Sequence, residues 1–170
     1  MVPKSIEAFH RDAQRYLDLF NAFAVKHTLV GSGARSDHIC YKCGSYQSFE
    51  SMRSTLERNS AYIYQSIISG RRIAIVRLKI GLWTSLGSID FVELSDQKPD
   101  NSQRDGFDHI EVYSLQNSYE MFVKHFENKE KVIEVVRPHH TTHDIDIGEG
   151  FLFRCTEGPL IEKIKRSEMI

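Results

Sequence analysis

Phe107-Asp108-His109-Ile110-Glu111-Val112-Tyr113 decides how this chain is read, because its Asp-His-Ile has already occurred once, at Asp37-His38-Ile39-Cys40-Tyr41-Lys42. Both stretches have strand character, with β-branched and aromatic residues among polar ones. Working outward, the same order of elements follows each. After the first, Gly44-Ser45 closes the strand and a helical pattern runs over 47–58 around Phe49, Met52 and Leu56. Strands rich in Ile, Val and Tyr are then predicted at 61–68, 72–79 and 88–94, with Ser69-Gly70-Arg71 as a hairpin turn. After the second come a helix at 118–128, strands at 131–137, 142–147 and 151–156, and a closing helix at 159–168. Residues 95–106 are almost free of apolar side chains and read as the linker between halves.

The repeated order points to an internal duplication. A tripeptide alone is coincidence; the element order carries the reading. The predicted fold class is α+β, with two βαβββ modules at about 35–95 and 106–158 inside a paired domain of 35–168. Ahead of it, residues 1–30 form a helical extension, since Ile6, Phe9, Ala13, Leu17, Phe20 and Phe23 recur at helical spacing. Gly31 to Ser36, small and polar, reads as a connector.

Composition narrows the function classes. The 170 residues are 41% hydrophobic, 26% charged and 11% aromatic, which describes an ordinary globular domain. With 22 basic and 23 acidic residues spread along the chain, no net field draws it to phosphate backbones or anionic lipid, so neither nucleic acid nor membrane is expected as a partner. No stretch reaches the roughly 18 apolar residues of a membrane span, and the first residues lack a signal peptide's apolar run. Cys40, Cys43 and Cys155 make an odd count that suits free thiols in a reducing, cytoplasmic setting.

His38 and His109 hold matching places in the two halves. If the halves pair about a pseudo-twofold axis, the two imidazoles converge. Glu93 ends the apolar stretch Ile89-Asp90-Phe91-Val92-Glu93-Leu94, where a carboxylate needs compensation for burial. A divalent ion would provide it, and two histidines with one carboxylate suit Fe, Mn, Co, Ni or Zn. Glu157 shares the parity of Phe151 and Phe153 as Glu93 shares that of Phe91, making it the expected fourth ligand, with Cys155 as an alternative. Glu111, on the His109 face, is a candidate general base or an outer hydrogen-bond acceptor, or else a salt-bridge partner of Lys42 or Arg154.

The segments Asp37-His38-Ile39 with Cys43, Gly70-Arg71-Arg72-Ile73, Asp90-Phe91-Val92-Glu93-Leu94, Gly106-Phe107-Asp108-His109-Ile110-Glu111 and Ile161-Glu162-Lys163-Ile164 resemble the YecM-like branch of the vicinal oxygen chelate superfamily. That superfamily also holds glyoxalase I, extradiol dioxygenases, methylmalonyl-CoA epimerase and bleomycin-resistance proteins. The resemblance covers about residues 35–168 and implies paired modules curling into an open mixed-sheet barrel, with a metal held on the first and last strands of each module. Carried over by residue, it gives His38, Glu93 and His109. At the fourth place the chain departs, reading Arg154-Cys155-Thr156-Glu157.

What it implies is a metal-dependent isomerase, lyase or dioxygenase acting on a small molecule, with Glu111 or Glu157 moving a proton. The alternatives are a protein that sequesters a small molecule in the same cavity, or a regulatory module whose site is vestigial. A monomer or homodimer is expected. Further candidates are His139, His140, His143, Asp144 and Asp146, either a solvated polar turn or part of the pocket mouth. In that second case His143 or His140 would bind substrate or move a proton. Arg71 and Arg72 would be anion binders or solvated turn residues, and Trp83 a pocket wall or core.

Overall fold

Serine begins three of the helices. Ser5, Ser45 and Ser118 have extended backbones, and each side chain accepts a hydrogen bond from the N–H three residues on, capping α1 (Ile6–Lys26), α2 (Tyr46–Arg58) and α3 (Tyr119–Glu127). The structure, a computed structural model, describes residues 2–137 and 140–168. Within them the strands are β1 (Ala34–Lys42), β2 (Ser60–Ile68), β3 (Arg71–Thr84), β4 (Gly87–Ser95), β5 (Gly106–Ser114), β6 (Ile133–Val136), β7 (Thr141–Asp146) and β8 (Leu152–Cys155), followed by α4 (Leu160–Glu168).

The eight strands form one mixed sheet in the order β2-β3-β4-β1-β5-β8-β7-β6. That order is symmetric about its middle. β1 and β5 pair antiparallel at the centre, each is flanked by the last strand of its own module in parallel, and the sheet is open, with β2 and β6 as edges. The α+β arrangement of two βαβββ modules is therefore present. Among the described residues, no helix is long and apolar enough to cross a membrane.

Strand alternation divides the sheet into two faces. On one, Ile39, Val92, Leu94, Ile110, Val112, Ile145 and Phe153 pack with Phe9 and Phe20 of α1, Phe49 and Met52 of α2, and Phe122 and Phe126 of α3 in a single core. α1 is thus built into that core rather than appended to it. On the other face α4 places Ile164 and Leu160 against Ile73, Ile75 and Phe91, and leaves the middle of the sheet to polar residues.

Two expectations about extent change. β1 starts at Ala34, inside the expected connector, and β3 runs to Thr84, so Trp83 lies on a strand and is 76% exposed, neither pocket wall nor core. Between Arg77 and Leu82 the β3–β4 register breaks. Gly81 allows this, because a Cβ there would lie 2.5 Å from the Asp90 carboxylate and the Ser88 hydroxyl.

Candidate metal centre

The repeated Asp-His is a bulge in both central strands. Ser36 pairs with Val112 and Ile39 with Ile110, so Asp37 and His38 together face one residue of β5; Tyr41 pairs with Phe107 and Ile39 with Ile110, so Asp108 and His109 together face one residue of β1. A bulge bends the strand and re-aims side chains. Here it lets neighbouring residues meet on one side of the sheet: Asp37 Oδ2 lies 2.7 Å from His38 Nδ1, and Asp108 Oδ2 lies 2.7 Å from His109 Nδ1. Each imidazole donates a hydrogen bond from Nδ1–H to its own aspartate, which turns Nε2 toward the other half.

The rings meet across the pseudo-twofold, with centroids 6.0 Å apart. Glu93 comes from β4, where His38 pairs with Phe91 and Cys40 with Glu93, and one ligand atom each from His38, Glu93 and His109 lies within 4.8 Å of the others. His38 Nε2 is 3.5 Å from Glu93 Oε2, and it is buried with no hydrogen-bond partner. Two donors each about 2.1 Å from a tetrahedral ion are roughly 3.4 Å apart. The donor set therefore fits a divalent cation in type, and the His38–Glu93 separation fits it in spacing. Glu111 completes the cluster, its Oε1 3.9 Å from His38 Nε2 and 3.8 Å from His109 Nε2.

The electrostatics differ between the two histidines. Burial pushes the His38 imidazolium down, but Glu111, Asp37 and Glu93 outweigh it and raise its pKa to about 10. Burial, reinforced by Arg154, pushes His109 down and leaves it neutral with a lone pair on Nε2. Burial opposes ionisation of Glu93 as well, yet His38, His109 and Arg154 hold it well below the usual carboxylate range. Without a metal, a proton on His38 takes the cation's place. Because that pKa exceeds the unfolded value of about 6.5, its stabilisation is complete below that pH and is lost as pH rises toward 10. The urea midpoint of chelator-treated protein should therefore fall over this interval, and the fall should shrink in His38→Gln.

The fourth place is not Glu157. β8 runs beside β5 with His109 opposite Leu152 and Glu111 opposite Arg154, so the residue matching Glu93 is Arg154. Glu157 is exposed in the bend after β8, and Cys155 is buried on the helical face. Arg154 is only 8% exposed, its Nε and Nη2 bind Asp144 Oδ1 and Oδ2 at 2.7 and 2.8 Å, and its Nη1 lies 3.0 Å from His109 Nε2.

Other candidates fall elsewhere. Asp144 faces the centre, whereas His143 points to the helices, its Nδ1 2.7 Å from the Tyr119 hydroxyl. His140 and Asp146 are exposed, and His139 lies outside the described residues. Arg72 pairs with Glu50 and Asp96 under Tyr46 and Phe49, and Arg71 binds Gln103, so neither faces the cluster. Lys42 pairs with Asp108 at 2.6 Å. Cys40 lies 3.5 Å from Glu93, while Cys43 is buried in the helical core; all three thiols are free. The residues missed from sequence were Asp37, Asp108 and Arg154 as site groups, although both aspartates belong to the repeated triplet.

Comparison with known proteins places these observations. The family model described as YecM protein matches residues 5–148. Among curated proteins none matches. A solved structural-genomics structure, Protein EC4020, superposes with a TM-score of 0.70 at 19% identity, covering 93% of this chain and 90% of that one. A putative dioxygenase from Bacillus subtilis subsp. subtilis str. 168 gives a TM-score of 0.47 at 13% identity, covering 74% of this chain and 41% of the other. The first of these shares the fold.

Proposed function

This chain belongs to the YecM protein family, and on that footing we propose that it is a metal-dependent enzyme of the vicinal oxygen chelate type, acting on a small molecule. One observation carries the reading: His38 Nε2 is buried, lacks a hydrogen-bond partner, and faces Glu93 at ligand spacing with a donor atom of His109 within 4.8 Å. His38, Glu93 and His109 are the protein ligands, and the two-histidine, one-carboxylate set suits Fe(II), with Mn, Co, Ni and Zn also admissible. When bound, the ion supplies a Lewis acid that polarises substrate oxygens.

The chain's own residues do the rest. Asp37 and Asp108 fix both rings and raise their basicity. Asp37 also accepts the Leu160 N–H at 3.0 Å, tying the start of α4 to the centre, and the apolar side of α4 keeps water from that end of the sheet. Glu111 lies close to both Nε2 atoms without being needed as a ligand, so it is the residue to take a proton from a bound substrate. Asp37→Asn or Asp108→Asn should each weaken metal binding by roughly 10–100-fold, measured by competition with a chelator. Unchanged affinity would remove the aspartates from the site.

A specific observation favours a second reading, a binding or sequestering protein without turnover: the Arg154 cation already lies against the His109 ring, 3.0 Å from Nε2 and 3.2 Å from Nδ1, beside the place a metal needs. Titration of chelator-treated protein with Co(II), followed by visible absorption, separates the two. The metal reading predicts a d–d band that saturates at one ion per chain and is lost in Glu93→Gln. No uptake by the wild-type chain leaves the sequestering reading.

A further inference from the structure

Resting on the metal reading above, we propose that the ligand of this site is a small molecule bearing a carboxylate beside its chelating oxygen, and that Arg154 binds that carboxylate. The register fixes the starting point. Where the first module presents the Glu93 anion, the second presents a cation at the matching place. Asp144 takes Nε and Nη2 of Arg154 as a fork, which leaves Nη1 as the one edge turned to the centre. Its neighbour there is the His109 ring, with Nη1 3.0 Å from Nε2 and 3.2 Å from Nδ1, and of these two nitrogens Nδ1 is already committed to Asp108.

With Nδ1 bonded to Asp108 and Nε2 given to a metal ion, neither nitrogen of His109 can accept from Nη1, and a guanidinium and a dication face each other in a buried place. An anionic oxygen between them answers both problems: it accepts from Nη1 and separates the cations with negative charge. The free edge is a single nitrogen, which suits one carboxylate oxygen. A second guanidinium supports the assignment. Arg137 is held by the Thr142 hydroxyl at 2.6 Å, two residues before Asp144 on the same strand face, and its charge is opposed by burial and by Arg154 while Asp144, Glu111 and Glu93 favour it. Glu93 and Glu111 also face this space, and the ion offsets them.

The arrangement makes metal and carboxylate bind each other's complex more tightly, by reciprocal linkage. The test uses whole protein loaded with Co(II), with glycolate as the acid and glycolamide as its neutral counterpart, each titrated by calorimetry and by the shift of the Co(II) spectrum. Wild-type protein should prefer glycolate at least tenfold. Arg154→Gln/Asp144→Asn, which removes both charges of the pair, should keep Co(II) uptake and lose that preference. If the double variant does not fold, Arg154→Lys keeps the charge but not the fork, and should bind glycolate several-fold more weakly than wild type. Normal Co(II) uptake with an unchanged glycolate preference in the variants, or with no preference in wild type, overturns the assignment while sparing the metal reading. Failure of wild-type protein to take up Co(II) overturns both.

Discussion

His38→Ala/His109→Ala should abolish stoichiometric binding of divalent metal by this chain. Outer partners of a metal ligand change affinity by roughly 10–100-fold, and removing two of three direct ligands should exceed that range. The loss is expected to be cooperative, because His38 and His109 approach one point from opposite strands and neither module holds the three ligands alone. Metal content after dialysis against Zn(II) measures it. The substitution also strips the cation from among Glu93, Glu111 and Asp37, so some loss of stability without metal accompanies it. His38→Gln/His109→Gln, closer in volume, separates the two effects: it should lose metal while keeping more of the chelator-treated melting temperature. Equal metal content in wild type and variants would remove both histidines from the site.

The second large effect belongs to the opposite face. Phe153 is fully buried and meets Phe20 and Phe23 of α1 and Phe122 and Phe126 of α3, with ring centroids 4.9–6.4 Å apart. Phe153→Ala should destabilise the chain by about 3–5 kcal/mol, since the rings around it come from two separate helices and cannot all close the cavity. For a chain of this size that is a fall in Tm of roughly 10 °C, read by calorimetry. A loss below about 1 kcal/mol would mean that α1 does not seal the core as described. The neighbouring Arg154 points the other way, so this substitution should leave Co(II) affinity nearly unchanged.

Phe153 also explains why one ligand was misread from sequence. Phe91 and Phe153 look like counterparts near the ends of similar strands, and face parity taken from them admits Glu157, as well as Cys155, as the match of Glu93. The register instead makes Phe153 the counterpart of Val92, on the helical face, and Leu152 the counterpart of Phe91. A one-residue slip exchanges the faces of a strand, so the true match of Glu93 is an arginine. The duplication itself was legible, because element order and helix periodicity survive small errors of boundary. Ser118 marks a helix start in the sequence as it does in the structure.

The bulges were not legible. Simple alternation sends Asp37 and Asp108 to the face opposite their histidines, and only a local change of register brings the carboxylates back to Nδ1. Nor could composition announce that Asp144, one of five polar residues near the β6–β7 turn, turns inward to hold Arg154 while His143 turns outward to Tyr119. Those directions depend on which residues of β7 face β8, and hence on pairings between distant parts of the chain.

Crystals soaked in Zn(II) and measured at the zinc absorption edge test the centre most directly. The account predicts a strong anomalous peak about 2.0–2.2 Å from His38 Nε2, from His109 Nε2 and from a Glu93 carboxylate oxygen, with Arg154 Nη1 drawn off the His109 ring. A peak elsewhere in the molecule, or none with Arg154 still bonded to His109 Nε2, would contradict it.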